Sequence, residues 1–145
     1  MAEEFKFGIN IKPRARDDFR GSGIVFMSVY LDWALDVTNA YLEKLGVAPP
    51  PNTIPTPVRQ ELTYHSPLLI SEAARVYVRT TRIGHSGTTW LIHITEAKTG
   101  RPIVDITNIV VWMDTQTGQS VPYPDEQKEK VIAFEGKENV KVAGR

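Results

Sequence analysis

The stretch "RARDDFRGSGIVFMSVYLDWALDVTNAYLEKLG", residues 14–46, decides how this chain is read. From about Ser28, Leu31, Ala34, Leu35, Thr38, Leu42 and Leu45 recur at the spacing of one helix face, with Ala40 and Tyr41 alongside. Asp32, Asp36, Asn39 and Glu43 fall on another face. Ser28 is placed to cap this helix and Gly46 to end it. The first half of the stretch is a loop, with Asp17, Asp18 and Arg20 ahead of the flexible points Gly21 and Gly23. A helix start offers unpaired N–H groups and partial positive charge. Acids just ahead of it therefore form either an ordinary charged loop or the mouth of an active site.

Upstream, Phe5, Phe7, Ile9 and Ile11 alternate with Lys6, Gly8, Asn10 and Lys12, which predicts a half-buried strand that Pro13 ends. Downstream, "APPPNTIPTP" at 48–57 predicts a stiff extended connector. Four strands are predicted after it, over 58–65, 74–83, 88–95 and 103–113. Trp90, Ile92 and Ile94 share one side of the third, and "IGHSG" and "AKTGR" serve as hairpin links. From Thr115 an extended tail, 115–145, carries a turn and then a short charged helix or coil. A helix among antiparallel strands must bury its apolar stripe against the sheet. The expectation is a single α+β domain over 1–145, a five-stranded antiparallel curved sheet wrapped around one long central helix.

Bulk properties narrow the function. The 145 residues are one domain's worth, and 41% hydrophobic with 23% charged residues marks a globular chain. Formal net charge is zero, which argues against nucleic acid or an anionic membrane as the main partner. There is no cysteine, so disulfides and thiolate chemistry are excluded. No apolar run is long enough to span a membrane, "MAEEFKFGIN" does not read as a signal peptide, and a cytoplasmic protein is the default expectation. A Gly-x-Ser-x-Gly elbow, a P-loop and a dinucleotide fingerprint are all missing.

Three pieces of the chain resemble the hotdog-fold thioesterases, nearest to the 4-hydroxybenzoyl-CoA and YbgC-like acyl-CoA thioesterase family. The first is "GIVFMSVYLDWALDVTNAYLEKLG", matching at Gly23, Val25, Tyr30, Trp33, Tyr41, Leu42, Leu45 and Gly46. The second is "LTYHSPL" with "RTTRIGHSGTTWLIHI", and the third is "VVWMDTQTGQSVPYPDEQKE". Together they cover nearly the whole chain. The resemblance implies an acyl-CoA thioesterase of the hotdog fold, a homodimer or homotetramer, acting on a CoA or acyl carrier protein thioester. No metal or redox cofactor is implied, and CoA arrives as part of the substrate. The chain departs from the family at one place. Counted without gaps, the position of the family's usual catalytic Asp holds Arg20; with two residues gained in the loop, Asp18 takes that place.

Thioester hydrolysis needs an activated water or a carboxylate nucleophile, and donors for the developing oxyanion. The resemblance puts the polarising backbone N–H at Met27. Asp18 is the first candidate acid and Asp17 the second, against the reading of both as solvated turn acids. Asp32, on the helix, is the alternative acid, against that of an exposed helix charge. Arg20 could bind a substrate carboxylate or CoA phosphate, or pair with Asp17 and Asp18. Gly23, Val25, Phe26, Tyr30 and Trp33 are expected around the acyl group, and Arg82, His85 and Ser86 of the "RIGHS" turn at the CoA phosphates. His65, His85 and His93 show no metal-ligand spacing and read as surface or pocket-edge side chains. The rival is a hotdog protein that binds acyl thioesters but hydrolyses them poorly.

Overall fold

The structure, a computed structural model, describes residues 4–143. Strand β1 (Phe7–Ile11) is followed by helix α1 (Val29–Leu45), then by β2 (Thr53–Tyr64), β3 (Ala74–Ile83), β4 (Gly87–Glu96) and β5 (Pro102–Asp114). This is the expected order of one strand, a helix and four strands. The sheet order is β1-β3-β4-β5-β2, so β1 and β2 are its edges. Two short strands enlarge the expected five: β6 (Ser120–Val121) pairs with β5, and β7 (Lys141–Val142) runs parallel to β3. The tail carries the short charged helix that was one of its two readings, and so is not extended throughout. After β6 it forms helix α2 (Asp125–Glu135), which Asp125 and Glu126 open with charge suited to a helix N-terminus.

The helix face also differs in detail from the sequence reading. Val29, Tyr30, Trp33, Ala34, Val37, Thr38, Tyr41 and Leu42 are buried, an unbroken i, i+3, i+4 stripe. Leu35 is 57% exposed, because it sits one residue, roughly 100° of arc, off that stripe. Leu45, in the last turn, is half-buried. The connector is shorter than expected. Pro55 and Pro57 lie inside β2. Proline cannot donate to a ladder, and an edge strand is where a sheet tolerates it.

The chain gathers into two compact units, one of Met1–Tyr41, Leu62–Val78 and Ile92–Ile106, the other of Leu42–Glu61, Arg79–Leu91 and Thr107–Arg145. In the first, β1 pairs antiparallel with β3, Phe7 opposite Val78 and Ile11 opposite Ala74. Gly8 lies opposite Tyr77, where a Cβ would stand 2.8 Å from Tyr77 Cδ1, so the close approach needs glycine. In the second unit, Gly46 (φ +70°) closes α1 as a Schellman motif: its N–H donates to the Glu43 carbonyl and that of Val47 to the Leu42 carbonyl. Helix α2 is tied in by side chains. Trp112 Nε1–H donates to Gln127 Oε1 (3.1 Å), the Gln127 amide donates to the Ala48 carbonyl, and Lys130 donates to the Gly46 carbonyl (2.9 Å). Among the described residues no helix is long and apolar enough to cross a membrane.

Candidate active site at the start of the central helix

The loop ahead of α1 is built on its two acids. Asp17 is buried, and Arg14 occupies both of its oxygens: the Arg14 N–H donates to Oδ2 (2.8 Å) and the guanidinium lies 3.2 Å from Oδ1. Burial pushes its pKa upward, but the Arg14 hydrogen bonds and the charges of Arg14 and Arg16 outweigh it and hold the carboxyl below its ordinary 3.8. Asp18 Oδ1 accepts the Gly23 N–H (3.0 Å), closing a small turn through Arg20, Gly21 and Gly23, all at positive φ. Arg20 has no glycine's freedom there, and its guanidinium lies over the Phe19 ring (5.5 Å). Phe19 stacks on Phe26 at 5.1 Å.

Backbone bonds then fasten this loop to the chain after β2. The Val25 N–H donates to the Leu68 carbonyl (2.9 Å), the Ile70 N–H to the Gly23 carbonyl (2.9 Å), and the Leu68 N–H to the Tyr30 hydroxyl (3.2 Å). Burial pushes the Tyr30 phenol above its ordinary 10.0, further than the Leu68 bond lowers it. Two cavities of about 280 and 300 Å³ share Ile24, Val25, Met27 and Pro67 as lining. Tyr30, Tyr64, His65 and Ser66 complete the first, Phe19 and Phe26 the second. Met27 stands two residues ahead of the helix. The Val29 N–H donates to the Phe26 carbonyl, whereas the Met27 N–H has no acceptor among the described residues.

His65, a lining residue of the first cavity, belongs to a cluster whose members lie far apart in the sequence. His65 Nε2 lies 2.8 Å from Asp105 Oδ2, and His93 Nδ1 lies 2.5 Å from Asp105 Oδ1. Beside it, Arg101 pairs with Glu72 (2.8 Å) and donates to Ser66 Oγ and to the Pro67 carbonyl, fixing the backbone next to His65.

Of the residues expected at the site, Val25, Phe26, Met27 and Tyr30 line these cavities. Gly23 shapes the turn above them. Trp33 is buried, its ring edge-on to Tyr30 at 5.7 Å, and lines neither cavity. Asp17, Asp18, Arg20 and Asp32 are not among the lining residues, and Asp32 is exposed on α1. Arg82, His85 and Ser86 belong to the other unit, where His85 shares a cavity of about 260 Å³ with Tyr123, Asp125 and Lys128. Tyr64, Ser66 and Pro67 were not expected as lining; His65 sits at a pocket edge, as its sequence reading has it, whereas His93 is buried and not at the surface or a pocket edge.

An apolar chamber with a free backbone donor at a helix start, and an imidazole held by a carboxylate, has the parts of an acyl-transfer site. The sequence matches the family model described as Thioesterase-like superfamily over residues 21–131. The chain belongs to that superfamily. No curated protein matches it. Among solved structures, a thioesterase from Thermus thermophilus, complexed with coenzyme A and zinc, is similar at 24% identity, covering 92% of this chain and 97% of the other with a TM-score of 0.78. A 1,4-dihydroxy-2-naphthoyl-CoA thioesterase from Synechocystis is similar at 13% identity, 88% and 95% coverage and a TM-score of 0.76. A mutant 4-hydroxybenzoyl-CoA thioesterase complexed with 4-hydroxybenzoyl-CoA is similar at 12% identity, 86% and 97% coverage and a TM-score of 0.78. At these identities the likeness is one of fold. This thioesterase-superfamily chain has the α+β hotdog architecture that its sequence motifs implied.

Proposed function

We propose that this superfamily member hydrolyses an acyl thioester, of CoA or of an acyl carrier protein, to a free acid and a thiol. The observation that carries the reading is the cavity lined by Met27, whose N–H is uncommitted at the start of α1, together with Val25, Tyr30 and Tyr64. A thioester carbonyl bound there would place its developing oxyanion against a fixed donor and the positive end of the helix. The apolar lining suits the acyl group and excludes bulk water. Arg20, on the exposed turn, stays protonated and can bind or orient an anion, but it cannot act as a base.

Thiol release from a panel of short, long and aromatic acyl-CoAs and one acyl carrier protein thioester tests this. Turnover of at least one member well above its spontaneous hydrolysis is expected. Saturable binding of panel members without turnover would overturn hydrolysis in favour of a thioester-binding protein.

We propose in addition that the chain works as a homodimer or homotetramer. Edge strand β2 leaves Ile54, Val58 and Tyr64 exposed, and an uncovered edge of this length invites pairing. Light scattering at micromolar concentration should give a multiple of 16.3 kDa, and a stable monomer would refute it.

A further inference from the structure

We propose that His65 is the group that moves protons in this site and that Asp105 orients it, with His93 fixing Asp105. The inference rests on the thioester-hydrolase reading above and names the base that reading requires. Neighbouring parts of one sheet build the arrangement. Asp105 is on β5, His93 is on β4, next to β5 in the sheet, and His65 directly follows β2, the neighbour on the other side. One carboxylate thus takes an imidazole from each flank, at 2.8 Å to His65 Nε2 and 2.5 Å to His93 Nδ1.

The two imidazoles have different surroundings. The His93 side chain is 6% exposed and stacks on both Phe5 (5.9 Å) and Tyr77 (6.0 Å), which fixes its ring. That of His65 is 38% exposed and lines the cavity with Met27 and Tyr30. The backbone holds His65 in register: its N–H donates to the Ile103 carbonyl (2.8 Å), two residues from Asp105. The titratable groups around it are Asp105 of β5, Tyr64 of β2 and Tyr30 of α1, with His93 beyond Asp105. Arg101 and Glu72 are satisfied by each other.

The tautomers follow from the carboxylate. Burial would raise the Asp105 pKa, but the bonds and charges of His93 and His65 outweigh it and keep the carboxyl below its ordinary value. An ionised carboxylate only accepts, so each facing ring nitrogen carries hydrogen. Neutral His65 is then the Nε2–H tautomer, with its lone pair on Nδ1, the form a general base needs. In the proposed step a water oxygen bonds to the thioester carbon while the water gives one proton to His65 Nδ1. The carbonyl π electrons move to oxygen, where the Met27 N–H receives the charge. Collapse reforms the carbonyl and breaks the C–S bond, and the leaving thiolate takes the proton back from Nδ1. The products are the acid and the thiol, and His65 is neutral again. Of the loop acids, Asp17 has both oxygens taken by Arg14, and Asp18, whose Oδ1 accepts the Gly23 N–H, lines neither cavity.

The deciding variant is His65→Gln, whose amide can still donate to Asp105 but cannot accept a proton. It should lower kcat about a hundredfold on the best panel substrate. Binding of a non-hydrolysable CoA thioether should be unchanged by calorimetry, and the fall in wild-type kcat on acidification should disappear. Independently of activity, ring ¹⁵N–¹H spectra of the free protein should show His65 protonated at Nε2 and His93 at Nδ1. Full kcat in His65→Gln with an active wild type would overturn the proposal while leaving the hydrolase reading intact. So would a His65 proton on Nδ1, or loss of the rate in Asp18→Asn instead. A wild type that hydrolyses nothing on the panel would overturn both.

Discussion

Asp17 and Asp105 are both shielded carboxylates, each with both oxygens engaged and each held below its ordinary pKa against the pull of burial. Their partners separate them. Asp17 is bound by Arg14, whose guanidinium never releases a proton at physiological pH, so the pair can only hold a turn in shape. Asp105 is bound by two imidazoles, each of which keeps a second ring nitrogen that can take a proton. The same electrostatic stabilisation therefore makes a peg in one place and the fixed point of a proton path in the other. The chemistry of the partner, more than the shift of the acid, tells the two apart.

The sharpest way to break this contrast is to neutralise each acid in turn. Asp105→Asn lets an amide donate where only acceptance is wanted and favours the wrong His65 tautomer. A loss in kcat on the order of a hundredfold is expected, with circular dichroism unchanged. A rate close to wild type would reduce Asp105 to a structural acceptor like Asp17.

Asp17→Asn should act on stability. Losing the charge-assisted bonds to an exposed Arg14 is expected to cost about 1 kcal/mol, read as a lower urea midpoint. Because the folded pKa of Asp17 lies below its ordinary value, this contribution is complete above that value and fades as pH falls through the folded pKa. The difference in urea midpoint between wild type and Asp17→Asn should stay level down to about pH 5 and close in stronger acid. A difference that instead grew on acidification would mean that the Arg14 pair does not stabilise the fold.

The smallest effect is expected from Asp18→Asn. An amide oxygen also accepts the Gly23 N–H, so the turn persists, and most of kcat should survive in a thiol-release assay. A collapse of kcat with the fold intact would move the base to the loop.

The fold was readable because period and punctuation agree. The strand over 74–83 is found within the predicted bounds, and α1 runs from just after Ser28 to just before Gly46. Errors fell where one residue type serves two states. Pro55 and Pro57 read as a linker, yet an edge strand accepts them. Leu35 read as core, yet the stripe is centred on Tyr30, Trp33, Val37 and Tyr41. The loop and the helix start were legible as a candidate site because they are contiguous in sequence. The His65–Asp105–His93 cluster was not, since it forms only when strands align. A partial signal existed: Glu96 and Arg101 close the "AKTGR" hairpin. His93, three residues before, and Asp105, four after, therefore fall nearly opposite. Nothing comparable announces His65, forty residues from Asp105 in the chain.

Gly8 carries no chemistry, yet it works as a spacer gauge for the site. The absent methyl at Gly8 leaves room for the Tyr77 ring, and that ring is one of the two surfaces on which His93 rests. His93 steadies Asp105, and Asp105 steadies His65. A single added carbon on an edge strand would thus be transmitted through three stacked or bonded side chains to the cavity wall. The tolerance for misplacing an imidazole base is a fraction of an ångström, so the clearance at one glycine sets the alignment of a proton path that it never touches.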